Sequence, residues 1–427
     1  MKLNLPRGMR DLDPETYLLI EKVRSVFMDV CRLYDFKIME PSPIELVSTL
    51  KMKSGPAILD EIYYFKDKSG RDVGLRFDLT VGLTRYVVSH RELPLPIKLG
   101  AFGGMWRYDE PQYGRYRWFH QWNIEIYGSK SVEADAEVID FTSTMMNKLG
   151  LTNTSIEVGD RSVVEEFIRS KLKIDDKSRI LEMLRALDKV GRKGVSVVLE
   201  EYSSNEAERK GLEDLIRFGE IKGRAEDVLN RLRDLGLKSQ TNLEQLVDSL
   251  NSRGIHNVLL NMGIVRGIDY YTGIVFEVFD REDIELGALA GGGRYDVLPE
   301  VFGRPDMGAT GVAGGVERIS LALKKMGNLA KFDGIRVYVA YAKPELITHA
   351  SKITSVLRRN GIPADMDISN KSLRRQMEMA SLKSAKYVVL IAPKEYSEGS
   401  VVLRDMNSGE ERVIKVDDLL SSLREGK

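Results

Sequence analysis

The sequence predicts an α+β protein in which an antiparallel sheet with flanking helices is interrupted by a helical insertion and followed by a C-terminal α/β domain. Three observations predict this class. Short strand-like segments with glycine and proline punctuation dominate 60–127, and strand-like sequence returns at 268–279. Between them, 161–255 is rich in Glu, Lys, Arg and Leu, as solvated helices are. From residue 335 onward, strand-like and helical segments alternate, which is typical of a small α/β domain.

The domain boundaries follow from these changes in composition. We predict a first domain over 1–325 with the insertion at 161–255, a linker at 326–334 and a second domain over 335–427. A chain of 427 residues is long enough for roughly two to four domains. Because 43% of its residues are hydrophobic, it buries a core without disulfides.

The composition disfavours several classes of protein. Cys31 is the single cysteine, which excludes a disulfide framework and a thiolate metal cluster, and we expect it to be a buried thiol. The four histidines are far apart and form no HExxH pair, which argues against a zinc hydrolase. No apolar run reaches about 18 residues, and the N-terminal segment 1–15 has no signal-like apolar core. We therefore expect a soluble, cytoplasmic protein that does not contact a membrane.

The net charge excludes less than it first suggests. The chain carries 64 Lys and Arg against 64 Asp and Glu, and a neutral protein is a poor match for the phosphate backbone of a nucleic acid. The segment 331–427, however, holds 17 basic and 13 acidic residues. A basic surface is needed only where the backbone lies, so a modestly basic second domain permits a nucleic-acid partner with salt-sensitive affinity.

Two predicted helices and an extended segment frame the sheet. The apolar residues of 15–33 recur at helical spacing, which predicts an amphipathic helix. Two prolines keep 36–45 extended. A glycine-rich strand at 308–315 continues into a helix at 316–325, whose apolar side faces inward.

Polar side chains on three predicted strands indicate a ligand site. The strands are 75–80, 105–110 and 117–127, and each alternates apolar residues with polar ones. For any one such strand, the commoner explanation is an antiparallel sheet with one solvent-exposed face. Three such strands with side chains of both charges, flanked by Trp and Tyr, instead favour a binding surface. The ligand of such a surface would carry both an amine and a phosphate. The polar residues are, in chain order, Arg76, Asp78, Thr80, Arg107, Asp109, Gln121, Asn123 and Glu125.

Arginines add a phosphate-binding feature to this binding surface. The turn after Arg107 carries Arg115 and Arg117, and guanidinium groups bind phosphate oxygens through paired hydrogen bonds. Arg318 lies in the first turn of its helix, where a cation is unfavourable without a nearby anion. For the hairpin alone, a surface loop with solvated arginines is the better explanation, and Arg318 alone is weak evidence for a bound phosphate. No GxxxxGK[ST] segment is present, so a nucleotide is not held by a P-loop.

Two further segments combine aromatic residues with glycines. The predicted strand in 266–279 places Tyr271, Gly273, Val275 and Glu277 on one face, directly after Arg266. The run AGGGRYDVL (290–298) allows another group to approach the backbone closely, or forms a flexible turn, which is the better interpretation of that run alone.

Together these segments resemble the histidyl-tRNA synthetases, a family of class II aminoacyl-tRNA synthetases. The match runs in order along nearly the whole chain, and the combination with RGIDYYTG and GGGRYD is highly specific. Residues 1–325 resemble the class II catalytic domain and 335–427 the anticodon-binding domain. The matching segments are LPRGMRDLDPE, EPSPIE, the arginine hairpin at 107–125, RGIDYYTGIVFE, GGGRYD and the helix with Arg318.

The resemblance implies a homodimer that binds L-histidine and ATP with Mg²⁺ and has no tightly bound metal of its own. Histidine attacks the α-phosphate of ATP, and the activated histidine then passes to histidine tRNA. Arg107 and Arg266 are the implied catalytic residues: Arg107 holds the α-phosphate, and Arg266 lies against the α-phosphate and the carboxylate of the substrate. The implied ATP-binding residues are Arg107, Asp109, Arg115 and Arg318. The implied histidine-binding residues are Asp78, Thr80, Gln121, Glu125, Arg266, Tyr270 and Tyr271.

Specificity for histidine is implied by Glu125 and Tyr271, which take the two imidazole nitrogens. A site built to hydrogen-bond both nitrogens rejects other side chains by roughly 10⁴–10⁵, because its buried polar groups are otherwise unpaired. For tRNA, the resemblance implies that Gln112 and Tyr113 approach the acceptor end and that the insertion holds the acceptor arm. Three basic residues of the second domain read the anticodon or are solvated charges. They are Lys371, Arg374 and Arg375.

Two alternatives remain at this point. The first is a synthetase-like regulatory or sensor paralogue without aminoacylation activity, and the second is a class II synthetase for another amino acid. The presence of the second domain and of four arginines argues against the paralogue; the arginines are Arg107, Arg115, Arg266 and Arg318. The segments RGIDYYTG and GGGRYD argue against a synthetase for another amino acid. Asp78–Leu79 and Tyr108–Asp109 depart from the usual bacterial residues and resemble the archaeal or eukaryotic branch.

Overall fold

The structure is a computed structural model that describes residues 3–425 apart from Asp109, 111–115, 266–269 and 328–335. The chain divides into two compact units, 1–330 and 331–427. In the described part of the chain, no helix is both long and apolar enough to cross a membrane. The predicted linker at 326–334 lies outside the described residues from 328 onward.

Twelve strands are described in the first unit, and nine of them form one sheet. The strands are β1 Lys37–Ile38, β2 Ile44–Leu46, β3 Tyr64–Lys66, β4 Asp72–Leu75, β5 Ile97–Trp106, β6 Trp118–Tyr127, β7 Thr154–Asp160, β8 Lys222–Arg224, β9 Val258–Asn261, β10 Ile274–Asp280, β11 Ala290–Arg294 and β12 Ala309–Gly315. The order in the large sheet is β1-β5-β6-β12-β11-β10-β7-β9-β8. The pairs β1–β5 and β7–β9 are parallel and the other pairs are antiparallel, so the predicted antiparallel sheet is confirmed. The small sheet has the order β2-β4-β3.

Helices surround the large sheet. They are α1 Pro14–Leu33, α2 Val47–Ser54, α3 Thr80–Ser89, α4 Val132–Leu149, α5 Arg161–Leu172, α6 Lys177–Lys193, α7 Val195–Tyr202, α8 Glu206–Gly219, α9 Ala225–Asp234, α10 Thr241–Ser252, α11 Val297–Val301 and α12 Val316–Lys325. Single 3-10 turns lie at Pro56–Asp60 and Ile284–Leu286. The predicted helices at 15–33 and 316–325 are confirmed, and the Asp13 side chain caps α1 by accepting from the Thr16 amide at 2.8 Å.

The main core lies on the apolar face of β6. Helices α1, α4 and α12 pack there, and Trp122 and Ile124 of β6 are fully buried among them. Cys31 of α1 belongs to this core, and burial raises the pKa of its thiol to about 12, so the predicted buried thiol is confirmed. This packing leaves the other face of β6 available for polar side chains.

The predicted insertion, 161–255, contains α5 to α10 and the short strand β8. Apolar residues of α6, α7, α8 and α9 are buried in the same core cluster as α1 and α4, so these helices are amphipathic. The strand β8 pairs with β9 at the edge of the large sheet. The insertion is therefore attached to the sheet both by packing and by strand pairing.

Three strand predictions are wrong in detail. The segment 75–80 is not a strand, because β4 ends at Leu75 and the chain turns into α3 at Thr80, where Oδ1 of Asp78 accepts from the Val81 amide at 3.1 Å. The strands in 60–127 are not all short, since β5 and β6 have ten residues each. β5 ends at Trp106, so Arg107 follows the strand and does not lie on it.

The glycine-containing segments also differ from the prediction. β10 begins at Ile274, so Tyr271 and Gly273 precede the strand and do not share a strand face with Glu277. The run AGGG is not a flexible turn but strand β11. A Cβ at Gly292 would lie 2.2 Å from the Gly311 carbonyl oxygen, which explains why this strand needs glycine to approach β12.

The second unit is a small α/β domain, as predicted. Its five-stranded sheet has the order β14-β13-β15-β16-β17, and Val337, Val339 and Leu357 are fully buried in its core. The strands are β13 Val337–Tyr341, β14 Ala364–Met366, β15 Tyr387–Ile391, β16 Ser400–Asp405 and β17 Glu411–Lys415. The helices are α13 Ile347–Arg359, α14 Leu373–Leu382, α15 Pro393–Ser397 and α16 Leu419–Glu425, with 3-10 turns at Pro344–Leu346 and Val416–Asp418.

Candidate active site

A cavity of about 850 Å³ lies on the polar face of β6, and it brings together most of the described residues that the sequence singled out. All of its lining residues belong to the first unit. The predicted site residues in the lining are Asp78, Thr80, Arg107, Gln121, Glu125, Tyr270, Tyr271 and Arg318. Asp109, Gln112, Tyr113, Arg115 and Arg266 lie outside the described residues.

Two predicted arginines are described but do not line the cavity. Arg76 donates to the main-chain carbonyls of Pro41 and Gly104, and Arg117 donates to that of Arg7. Their place in the predicted ligand site is therefore wrong.

Glu125 is the centre of a buried hydrogen-bond network. Its Oε1 accepts from Thr80 Oγ1 at 2.7 Å and from Asn123 Nδ2 at 3.0 Å. Its Oε2 accepts from the Tyr295 hydroxyl at 2.5 Å. Gln121 extends the network by donating to Asn123 Oδ1 at 2.8 Å. Side chains from three segments, the start of α3, β6 and the residue after β11, therefore hold one carboxylate in a fixed orientation.

The burial of Glu125 changes its acidity. Glu125 is 1% exposed, and burial raises the pKa of its carboxyl to about 7, against the lowering effect of the hydrogen bonds from Tyr295, Asn123 and Thr80. Burial likewise raises the pKa of the Tyr271 and Tyr295 hydroxyls well above the ordinary value. The two tyrosines stay neutral near pH 7, whereas Glu125 titrates there.

Gly311 of β12 makes room for this carboxylate. It is the register partner of Glu125, and a Cβ at Gly311 would lie 1.6 Å from Glu125 Oε2. No side chain fits at that distance, so the position of the carboxylate requires glycine on the neighbouring strand.

Asp78 provides a second carboxylate, and it is paired. Its Oδ2 contacts the ammonium of Lys53, and the two side chains are 5% and 8% exposed. The Lys53 Nζ also lies 4.2 Å from the centroid of the Tyr270 ring. Tyr270 in turn packs against Tyr271 with ring centroids 4.3 Å apart.

Arg107 and Arg318 line the same cavity as Glu125, and each donates to a main-chain carbonyl. Nε of Arg107 donates to the Phe77 carbonyl at 2.9 Å, and its guanidinium lies 5.0 Å from the centre of the Phe119 ring. Nη1 of Arg318 donates to the Ala288 carbonyl at 2.9 Å. These contacts orient both guanidinium groups in the cavity.

Glu317, next to Arg318, ties three segments together beside the cavity. Its carboxylate accepts from the His120 amide at 2.9 and 3.0 Å and from Arg10 Nη2 at 3.2 Å. The Arg10 guanidinium lies 3.7 Å from the centroid of the Tyr116 ring. The N-terminal segment, β6 and α12 are thus joined where the arginine hairpin returns to the sheet.

The segment GGGRYD divides into packing and site residues. Arg294 is buried and forms an ion pair with Asp135 of α4 at 2.8 Å, so it joins β11 to the helix behind the sheet. Tyr295, the next residue, instead points to Glu125. Only the tyrosine of this pair lines the cavity.

The predicted tRNA-contacting residues of the second unit lie at the start of α14. Lys371 precedes the helix, and its amide donates to Asp367 Oδ2 at 2.7 Å. Arg374 is 90% exposed and forms an ion pair with Glu378 at 3.2 Å, and Arg375 is exposed. Within the described ranges, no group of three or more His, Cys, Asp or Glu residues is placed to hold a metal ion.

A family model for histidyl-tRNA synthetase matches residues 8–319, and a model for an anticodon binding domain matches residues 336–426. The first match alone covers more than half of the chain. The chain belongs to the histidyl-tRNA synthetase family. This confirms the resemblance found in its sequence.

Relatives agree with this family assignment over their full lengths. A histidine--tRNA ligase of Thermococcus kodakarensis is 34% identical over 440 residues, which is 99% of each chain. One of Pyrococcus horikoshii is 35% identical over 431 residues, which is 98% of each chain. Both organisms are archaea, as expected for the predicted branch. The crystal structure of a Nostoc histidyl-tRNA synthetase covers 100% of both chains with a TM-score of 0.81 and 23% identity, which confirms the fold.

Three residues of the synthetase cavity were missed by sequence reasoning. Lys53 lies on a short helix with no local sign of a site, and it reaches Asp78 across 25 positions. Tyr295 lies in the GGGRYD segment, but its contact with Glu125 spans 170 positions and has no local signal in the sequence. Glu317 stands beside Arg318, and a carboxylate in the first turn of a helix reads as a favourable charge at the helix N-terminus rather than as a site residue.

Proposed function

We propose that this protein attaches histidine to histidine tRNA through an enzyme-bound histidyl-adenylate, with ATP as the energy source. The observation that carries the proposal is the cavity itself, because one cavity contains a fixed carboxylate network and two guanidinium groups. The network suits a small ligand with several hydrogen-bonding groups, and the arginines suit a polyphosphate.

The amino-acid end of the cavity is formed by the residues around Glu125. Glu125 and Tyr271 take the two imidazole nitrogens, and Tyr270 packs beside Tyr271. The α-amino group binds to Asp78, Thr80 and Gln121. Three donors hold the Glu125 carboxylate, so its remaining lone pairs point in one direction. An amino acid whose side chain has no matching donor leaves these lone pairs unpaired, which weakens its binding.

The phosphate end is formed by arginines. Arg107 and Arg266 hold the α-phosphate, Arg115 and Arg318 bind the outer phosphates, and Asp109 completes the ATP site. ATP enters as its Mg²⁺ complex, so the metal is part of the substrate. Gly315 leaves open space here, since a Cβ at this position would have no neighbour within 4 Å.

The reaction has two steps. A carboxylate oxygen of histidine attacks the α-phosphorus, the bond to the bridging oxygen breaks, and pyrophosphate leaves with the electron pair. Arg107 and Arg266 stabilise the charge that develops on the pentavalent phosphorus. A ribose hydroxyl of the tRNA terminus then attacks the activated carbonyl carbon and AMP leaves.

The tRNA is held by both domains. Gln112 and Tyr113 approach the acceptor end, and the insertion at 161–255 holds the acceptor arm of the tRNA. The domain 335–427, beyond the linker at 326–334, reads the anticodon with Lys371, Arg374 and Arg375. Its 17 basic against 13 acidic residues in 331–427 support this role. Since ATP and tRNA are substrates of cytoplasmic translation, the proposed location is the cytoplasm.

The catalytic domain, residues 1–325, forms a homodimer. The outer strands of the small sheet expose large apolar side chains, each more than 40% exposed: Ile44, Leu46, Tyr64 and Phe65. Leu46 and Phe65 both pair with Val73 of β4, so they share one face of this sheet. Exposed apolar side chains on one face are typical of a protein interface. Light scattering is expected to give twice the 48.3 kDa of one chain, and a monomer contradicts this part of the proposal.

Amino-acid-dependent ATP–pyrophosphate exchange tests the function. Each of the twenty amino acids is offered in turn, and exchange is expected with histidine alone. Exchange with another amino acid indicates a different class II synthetase. No exchange with any of them indicates the regulatory paralogue, which the full-length ligase relatives do not favour.

A further inference from the structure

Lys53 forms a buried ion pair with Asp78 inside the cavity. Its ammonium contacts Asp78 Oδ2, while Oδ1 of the same carboxylate accepts from the Val81 amide at 3.1 Å. The ammonium also lies over the ring of Tyr270, at 4.2 Å from the centroid. Lys53 is thus held between two residues of the proposed histidine site, although it has no assigned part in the reaction.

The proposed function, on which this inference rests, brings a second ammonium group to Asp78. Two cations on one buried carboxylate leave a net positive charge, which is costly away from water unless another anion is near. Histidine supplies that anion, because its carboxylate carbon lies roughly 2.5 Å from its amino nitrogen. A cation that shares Asp78 with the α-ammonium is therefore within reach of the α-carboxylate.

The position of Arg107 agrees with this geometry. The Phe77 carbonyl accepts from Arg107 at 2.9 Å, and Asp78, the next residue, holds Lys53. The reacting carboxylate must lie between the contact for the amine and the contact for the α-phosphate. Lys53 and Arg107 are held by adjacent residues, Asp78 and Phe77, and both line the cavity in which that carboxylate would bind.

We propose that Lys53 is a specificity-determining residue that binds the carboxylate of the incoming amino acid. Asp78, the α-ammonium, the α-carboxylate and Lys53 then alternate in charge and sum to zero. The site accepts the zwitterion and disfavours an amine that lacks the carboxylate. Lys53 lies in the last turn of α2, where a cation is favourable, so the helix supports its position.

The test compares histidine with histidinol, which has a hydroxymethyl group in place of the carboxylate. Titration calorimetry without ATP gives the Kd of each ligand for the full-length protein and for Lys53→Met. Loss of a charge-assisted hydrogen bond predicts that the ratio of the histidinol Kd to the histidine Kd falls by about 10-fold or more. Lys51→Met, on the same helix but outside the cavity lining, is the control and keeps the wild-type ratio.

An unchanged ratio overturns the assignment. Both ligands bind more tightly, with the same ratio, if Lys53 only competes for Asp78, and both bind more weakly if Lys53 is only structural. Lys53→Gln, whose amide still donates to Asp78, decides the question if the Met variant does not fold, and the same fall in the ratio is expected. A wild-type protein that binds neither ligand refutes the proposed function, whereas wild-type binding with an unchanged ratio refutes the Lys53 assignment alone.

Discussion

The two ends of the cavity are built in different ways. At the amino-acid end, Glu125 and Asp78 are bonded to other side chains, which come from distant parts of the chain. At the proposed phosphate end, Arg107 and Arg318 each donate to a main-chain carbonyl. The network around Glu125 depends on each of its side chains, whereas the carbonyl contacts of the two arginines do not depend on the side chains of Phe77 and Ala288.

If the two ends bind histidine and phosphate as proposed, this difference predicts that the choice of amino acid and the rate of adenylate formation respond to different substitutions. Changes in the network around Glu125 alter both the fold and the choice of amino acid, because they leave buried polar groups unpaired. Changes to the arginines alter the stabilisation of the reacting phosphate and leave the fold intact. The predictions below test that separation, from the largest expected effect to the smallest.

Arg266→Ala is expected to have the largest effect, and on rate alone. Removing one preorganised donor to the α-phosphate predicts that adenylate formation falls by roughly 10²-fold or more, while histidine binding is retained. ATP–pyrophosphate exchange and a histidine titration measure the two quantities. Arg217→Ala, an exposed arginine of α8, is the control. An unchanged exchange rate in the Arg266 variant contradicts the role assigned to it.

Gly311→Ala is expected to have the largest effect on stability. The added methyl group overlaps Glu125 Oε2 and forces the network apart, so the free energy of unfolding falls by about 2–3 kcal/mol. Urea denaturation measures the change. Gly315→Ala, on the same strand with open space at its Cβ, is the matched control. Equal losses in the two variants count against a steric requirement at Gly311.

Tyr295→Phe is expected to shift a pH profile. Its hydroxyl lowers the pKa of Glu125, so the variant moves the acidic limb of kcat/KM for histidine to higher pH. Free histidine titrates in the same range, and the variant is therefore compared with wild type at each pH. The control is Tyr34→Phe, which removes a tyrosine–carboxylate bond of 2.9 Å to Asp140 outside the cavity. Identical pH profiles for Tyr295→Phe and the wild type argue against an effect of the Tyr295 hydroxyl on the pKa of Glu125.

The same titration affects stability with a defined sign. Burial raises the Glu125 pKa from 4.5 to about 7, so between these values the folded protein binds more protons than the unfolded chain. The contribution of Glu125 to stability is therefore present below pH 4.5 and is lost as the pH rises through 7. In Glu125→Gln, the free energy of unfolding is expected to fall less between pH 4.5 and 7 than it does in the wild type. An equally steep fall in both proteins contradicts the raised pKa of Glu125.

The smallest effect is expected outside the cavity. Arg375→Ala in α14 should raise the KM for tRNA by about 2- to 3-fold and reduce the salt dependence of binding by roughly one counterion. Exchange with histidine should be unchanged, because α14 does not line the cavity. Aminoacylation at several salt concentrations measures the KM for tRNA and its salt dependence. A changed rate of ATP–pyrophosphate exchange contradicts the separation of tRNA binding from histidine activation.

Sequence reasoning succeeded where the pattern is local. The alternation in β6 places Gln121, Asn123 and Glu125 on one face, since neighbouring side chains of a strand point to opposite sides. The apolar spacing of α1 and α12 predicted their buried sides for the same reason. Family resemblance then supplied the residue roles, which no local pattern contains.

Sequence reasoning failed where two structures share one local pattern. Phe77 and Leu79 alternate with Asp78 as in a strand, but the aspartate accepts from an amide of the following helix. The glycines of β11 read as a turn, because close strand packing leaves no local signal. The contact between Tyr295 and Glu125 joins residues 170 positions apart, and only the fold brings them together.

The most direct test of the separation between the two ends is the Kd of histidine, measured without ATP, for Glu125→Gln and Arg107→Ala side by side. The account predicts that Glu125→Gln weakens binding by about 10-fold or more, since a charged acceptor is lost, and that Arg107→Ala stays within about 2-fold of wild type. Equal weakening by both variants, or a larger effect of Arg107→Ala, contradicts it.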